Sequence, residues 1–200
     1  NLSDILSKSP GVRLRESGGE GSGINLMLDG FSGKHIKIFI DGVPQEGVGA
    51  SFGLNNIPVN LAERIEVYRG VVPVQFGADA MGGVVNIVTN SVREGWNLDA
   101  SYSYGSFNTH KSFINFGKVH RNGLKYELNI FQNYSDNNYT INAPVEDFET
   151  GSIEKKKLYS VERFNDTYHN EAATFKVGVV GKSWADRMIL GLGLSNMYKE

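Results

Sequence analysis

Cysteine is absent from all 200 residues. That excludes a disulfide framework and cysteine-based zinc sites, and it suits a chain exported to a compartment where stray thiols oxidise. Long apolar runs are absent as well. None approaches the roughly 18 residues that a membrane-crossing helix needs. A β-barrel is left open, because its strands cross with about ten residues of alternating polarity. Neither sign of charge is in excess: 20 Lys and Arg against 22 Asp and Glu leave a net −2. With no basic run, nothing points to nucleic acid. Catalytic patterns are missing too. His35, His110, His120 and His169 are scattered, with no His-Glu-x-x-His spacing, and there is no Gly-x-Ser-x-Gly elbow. Asp136-x-Asn138-x-Thr140 begins like a calcium loop, but Ile141 stands where glycine is required. These absences point away from an enzyme, a resident metal and a cofactor. No signal peptide begins at Asn1, so a mature, trimmed or partial chain is expected, and a fragment is the preferred reading.

What is present falls into two grammars. Up to about residue 92 short apolar runs are closed by glycine turns. Asn1–Ser9 reads as a short amphipathic helix ended by Pro10-Gly11, and Val12–Leu14 as a brief strand. Ser17–Gly23 is the most glycine-rich segment. No Gly-Lys-Ser/Thr ending follows, so a flexible loop is predicted rather than a phosphate cradle. Ile24–Leu28 reads as a strand, and Ile36–Ile40 as another closed by Asp41-Gly42. Ile57–Leu61 reads as a turn into a short helix, Pro58 falling where a first turn tolerates it. Arg64–Tyr68 alternates charged and apolar residues, as a half-buried strand does, and Val84–Val88 is a strand entered through Gly82-Gly83. A small mixed sheet with tight loops results.

From about residue 93 strict alternation takes over. Leu98, Ala100, Tyr102 and Tyr104 share one face of a first strand, opposite Asn97, Asp99, Ser101 and Ser103. Strands follow at 113–119, at 124–134 after the Arg121-Asn122-Gly123 turn, at 173–179, and at 188–194 after a turn at 182–186. Ser135–Asn170 is long, polar and without periodicity. With a short loop at 105–110 after the first strand, the connections read short, short, long, short. That rhythm is in phase with an outer-membrane barrel, whose periplasmic turns are short and whose outer loops are often longer. In that reading the apolar faces meet lipid, the polar faces meet the lumen, and Tyr102, Tyr104, Tyr134 and Tyr198 fall near strand ends as a girdle. A soluble β-sandwich explains the alternation equally well.

Three motifs break that tie. Asp41-Gly42-Val43-Pro44, Glu63-Arg64-Ile65-Glu66-Val67-Tyr68-Arg69-Gly70, and Phe76-Gly77 through Gly82-Gly83-Val84-Val85-Asn86-Ile87 occur in this order. Together they resemble the plug domain of TonB-dependent outer-membrane receptors. The resemblance implies an α+β plug over residues 1–92 (a small mixed sheet with short helices), then over 93–200 the first five antiparallel strands of a transmembrane β-barrel of about 22 strands. It implies residence in the outer membrane of a Gram-negative bacterium and contact with outer-membrane lipid. It also implies a TonB partner, engaged through an N-terminal segment preceding this chain. The function it implies is energised import of a scarce small molecule or metal chelate. A ferric siderophore is preferred over cobalamin, haem or a glycan, and a sensor or adhesion receptor without transport is the other class.

The same resemblance assigns residues. Asp29, Asp41, Gly42, Arg64, Glu66, Arg69, Gly70, Gly82, Gly83 and Asn86 become plug-motif or plug–barrel lock positions. Asp29 departs from the family, which commonly has arginine there. A buried carboxylate is costly unless paired, so Asp29 is expected to meet Arg69, Arg64 or a basic barrel residue, or else to be a solvated turn residue. The proline usual after Arg-Gly has moved to Pro73. The loops 16–23, 32–35 and 45–53 are expected at the end opposite Arg69-Gly70, facing outward. Candidate ligand contacts are Arg15, Lys34, Gln45 and Phe52 from the plug, with Tyr159, Arg163 and Tyr168 from the long loop. Cationic and aromatic groups suit an anionic chelate.

Overall fold

A computed structural model describes residues 2–16, 18–45, 54, 56–77, 81–89, 92, 94–145 and 158–200. It opens with helix α1 (Leu2–Leu6), whose Leu2 and Leu6 are fully buried. Strands β1 (Val12–Glu16), β2 (Ile24–Leu28) and β3 (Phe31–Ser32) form a three-stranded antiparallel sheet. Strands β4 (Ile36–Ile40), β5 (Val43–Pro44), β6 (Ala62–Tyr68) and β7 (Gly83–Thr89) form a second sheet in the order β5-β4-β7-β6. It is mixed, because β4 and β7 run parallel while the other pairs are antiparallel.

The chemistry of the turns explains this arrangement. Asp41 (φ 50°) and Gly42 (φ 80°) both take left-handed backbone, the two-residue hairpin geometry that Asp-Gly favours. Pro58, at φ −62°, stands just before the 3-10 turn Val59–Leu61. Central strand β7 is covered on both faces, and Val84, Val85 and Ile87 are completely buried, which is why it reads as a continuous apolar run. Helices are few.

The remaining strands build a wall: β8 (Gly95–Gly105), β9 (Thr109–Val119), β10 (Leu124–Ser135), β13 (Tyr168–Lys182) and β14 (Ala185–Lys199), each antiparallel to its neighbour. All five run longer than the sequence reading: β9 starts at 109 rather than 113, shortening the loop before it, and β14 spans 185–199 rather than 188–194. Ser135 pairs with Tyr168, so β13 begins five residues before 173, and the long connection shrinks to residues 136–167. Within it β11 (Thr140–Ala143) pairs with β12 (Tyr159–Glu162). That hairpin is too short to show periodicity.

Burial in the wall is inverted relative to a soluble sheet. On β10 the buried residues are Lys125, Glu127, Asn129, Asn133 and Ser135, with Phe131 among them, while Leu124 and Ile130 are exposed. On β14 Met188, Leu190, Leu192 and Leu194 are 62–79% exposed. The polar face lies against the first two sheets, where Phe113, Phe131 and Ala172 meet Ile40. The apolar face is bare. A soluble sandwich buries the opposite set, and an apolar surface of this extent needs lipid or a partner to cover it.

Candidate functional site at the plug–wall interface

The motif residues form one polar network inside the mixed sheet. Asn86, 5% exposed in the buried strand β7, accepts from the Gly42 amide (3.1 Å) and donates to Glu66 Oε2 (2.9 Å). Arg64 Nε (2.8 Å) and the Tyr68 hydroxyl (3.1 Å) also donate to Glu66. The Asn86 hydrogen bond first, and then Arg64 and Tyr68, hold the Glu66 carboxyl below its ordinary pKa against desolvation. Gly82 and Gly83 are required by close approach. A Cβ on Gly83 (φ 118°) would lie 2.6 Å from both Leu28 Cδ2 and the Tyr68 carbonyl oxygen, and one on Gly82 would lie 2.6 Å from Phe31 Cβ.

A second cluster ties this sheet to the wall. Asp41 accepts from the Thr89 amide (2.8 Å) and hydroxyl (2.7 Å), and from Lys176 Nζ of β13. Burial pushes the Asp41 carboxyl up, but the Lys176 charge and these hydrogen bonds outweigh it and leave the pKa lowered. Beside this corner, Glu127 of the wall accepts from the Val92 amide (3.3 Å) and pairs with Lys125 (3.0 Å).

The third cluster lies at the other end of the wall strands, on the side of the 136–167 connection. Lys176 is eight residues along β13 from Tyr168, roughly 26 Å at 3.3 Å per residue. Here the β1–β2 hairpin meets the wall. The Asn137 side chain accepts from the Glu20 amide (3.0 Å) and donates to the Glu20 carbonyl (2.9 Å), while Lys111 pairs with the Glu20 carboxylate (2.5 Å). A cavity of about 290 Å³ separates hairpin from wall, lined among others by Glu16, Glu20, Phe107, Ser135, Asn137 and Tyr139. The glycine-rich segment, expected as a flexible loop, is packed: a Cβ on Gly19 would lie 2.5 Å from Asn137 Oδ1.

The predicted ligand residues separate. Arg15 is exposed on β1 beside Glu16. Tyr159 is 44% exposed on β12. Arg163 donates to the Tyr139 hydroxyl (2.6 Å) and pairs with Asp166 (2.7 Å) close to the cavity. Gln45 is instead at the Asp41 corner, in a cleft with Thr89 and Lys176. Two expectations are corrected. Tyr168 is not a loop residue open to a ligand but a wall residue 1% exposed, its hydroxyl donating to Asn56 Oδ1 (2.7 Å). Residues 32–35, with Lys34, do not lie opposite Arg69-Gly70. The registers Ile36 to Gly83 and Tyr68 to Val84 put them at the same end, because β4 starts where β6 finishes. Phe52 lies outside the described residues.

Arg69 Nη1 stands 3.7 Å from Asp29 Oδ1 and donates to the Pro10 carbonyl (3.0 Å), both side chains about half exposed. Gly70 takes φ 68° just after it. Asn56, Glu20, Lys111, Asn137 and Lys176 escaped the sequence reading. Lys176 did carry a signal, as a charge within β13 on the face opposite Phe175, Val177 and Val179.

A family model described as the TonB-dependent receptor plug domain matches residues 1–84. The vitamin B12 transporter BtuB of Vibrio vulnificus is 28% identical over 185 residues, covering 86% of this chain and 28% of the transporter. The copper transporter OprC superposes with a TM-score of 0.66 at 17% identity, over 98% of this chain and 28% of its own. The pyoverdine outer membrane receptor FpvA of Pseudomonas aeruginosa PAO1 gives 0.66 at 13%, over 98% and 25%. The ferric yersiniabactin uptake receptor FyuA of Yersinia pestis gives 0.59 at 18%, over 96% and 28%. All of these are transporters or receptors, and this chain spans little more than a quarter of their lengths. Residues 1–84 thus match the plug domain of TonB-dependent receptors, and the antiparallel strands that follow share the fold of those receptors.

Proposed function

We propose that this chain is the plug and first wall strands of a TonB-dependent importer in the outer membrane of a Gram-negative bacterium. The wall continues to a barrel of about 22 strands, and TonB acts through a segment N-terminal to the plug. The observation that carries the reading is the inverted wall: polar residues of β10 buried against the plug, apolar residues of β14 exposed. A plugged barrel accounts for both at once. Cargo rests at the end of the 136–167 connection, against the β1–β2 hairpin and the wall around this cavity, which at about 290 Å³ admits only part of such a molecule. Binding favours one plug arrangement over another only through unequal affinity for the two.

A ferric siderophore is the cargo class we put first. Aromatic groups (Phe107, Tyr139) and the nearby cations Arg15 and Arg163 suit a metal chelate. A corrinoid is the second reading, favoured by the 28% identity to a vitamin B12 transporter. Calorimetry on the full-length receptor in detergent, with ferric siderophores, cyanocobalamin, haem and oligosaccharides, tests both. Sub-micromolar binding weakened by Arg163→Ala places the cargo. Binding without TonB-dependent uptake in cells makes the protein a sensor, and silence across the panel overturns the cargo classes.

A further inference from the structure

Tyr168 touches two plug segments that are far apart in sequence. Its ring lies under Gly21 of the β1–β2 hairpin so closely that a Cβ there would stand 2.1 Å from Cδ2 and 2.3 Å from Cε2. Its hydroxyl donates to Asn56 Oδ1 (2.7 Å). Asn56 is 4% exposed and gripped by two further wall strands. Asn133 of β10 donates to its carbonyl (3.0 Å), and its own amide reaches Met197 Sδ of β14 (3.6 Å). Tyr168 is thus a rigid two-ended strut, apolar against the hairpin and polar against the Asn56 segment, anchored in the wall by the Ser135 register.

We propose that Tyr168 is a positioning residue that couples the β1–β2 hairpin to the Asn56 segment, so that displacement of the first is felt by the second. The inference rests on the reading of this end as the cargo site, since the hairpin lines the cavity. A buried side chain in direct contact transmits displacement because close-packed interiors have two arrangements rather than a continuum. Cargo that moves Gly21 moves the ring, and the ring holds or releases Asn56. The hairpin is also held by Asn137, whose side chain bonds Glu20 and the carbonyl of Asp166 (3.0 Å), so removing it displaces the hairpin without touching the Tyr168 hydroxyl.

Hydrogen exchange on the full-length receptor in detergent, without any cargo, tests the coupling. Tyr168→Phe keeps the ring and removes the hydroxyl, so exchange over residues 56–61 rises about tenfold, the scale of one lost hydrogen bond, while residues 18–23 stay protected. Gly21→Ala pushes the ring from the other side and accelerates residues 56–61 in the Tyr168 protein, but adds nothing in the Tyr168→Phe background. Asn137→Ala loosens residues 18–23 and, through Tyr168, accelerates 56–61, but adds nothing there in the Tyr168→Phe background. Unchanged exchange at 56–61 in Tyr168→Phe overturns the proposal, and so does further acceleration there by Asn137→Ala in the Tyr168→Phe background, which would mean general loosening. If Gly21→Ala fails to fold, the other two variants still decide. No ligand enters this experiment, so its failure is distinct from silence in the cargo panel.

Discussion

Lys176 of the wall donates to the Asp41 carboxylate across 135 residues of chain, and the same ammonium reaches Thr89 Oγ1 (3.1 Å). Asp41 closes the β4–β5 hairpin and Thr89 ends β7, so one wall cation fastens two neighbouring strand ends at one end of the plug sheet, near the point where plug becomes wall. The asparagine and glycines of the motifs act inside the plug. This aspartate faces outward to a partner.

Removing either member of that pair leaves the other half-buried without its counter-charge and held only by Thr89. Lys176→Met and Asp41→Asn are each expected to cost about 1–3 kcal/mol. The double variant should cost less than their sum. Denaturant titration of the full-length receptor measures the cycle, and strict additivity would show that the pair carries no coupling.

The Asp41 pKa is lowered by folding, so its contribution is fully present above the ordinary value of 3.8 and is lost as pH falls through the lowered value. Wild-type stability is therefore expected to decline below pH about 4 more steeply than that of Asp41→Asn. Parallel curves from pH 5 to pH 3 would remove Asp41 from the acid response.

Asn86 serves an acceptor and a donor at once. Asn86→Asp keeps the acceptor for Gly42 and sets a second carboxylate beside Glu66. At pH 7 it is expected to be less stable than Asn86→Ala, because two adjacent carboxylates cannot both ionise cheaply. Toward pH 4 the order should reverse as one protonates. Melting temperatures of both variants at the two pH values check this.

Gly83→Ala meets Leu28 and the Tyr68 carbonyl with a φ that L-residues rarely adopt. A loss of at least about 2 kcal/mol is expected, read as protease sensitivity of the plug in an otherwise assembled receptor. Resistance equal to wild type would mean that β7 shifts to make room.

Adjacent residues of β14 should answer oppositely. Leu192 is 64% exposed on the apolar face, and Leu192→Arg is expected to cost about 2–4 kcal/mol in lipid. Gly193 is on the opposite face, with Thr174 Cγ2 3.8 Å from a built Cβ, so Gly193→Ser should be tolerated. Folding yield into liposomes compares them.

The sequence alone determined the local grammar. The Asp41-Gly42 turn, the apolar run of β7 and the period-two faces of the wall were legible because turn chemistry and strand alternation act over a few residues. The shared motifs extended that reading to a plug followed by a wall. Tertiary structure alone decided who meets whom. Lys176 was readable as a charge within β13 but not as the partner of Asp41, and Asn56 bore no signal for Tyr168. Tyr168 read as a polar loop residue because only the pairing of Ser135 with Tyr168 carries β13 that far. Residues 32–35 were misplaced because the parallel pairing of β4 with β7 sets which end is which. The physical reason is common to all of these. Periodicity specifies which face of a strand is covered, whereas the rotation and height of the plug against the wall depend on contacts summed over segments a hundred residues apart, and no local pattern encodes that sum.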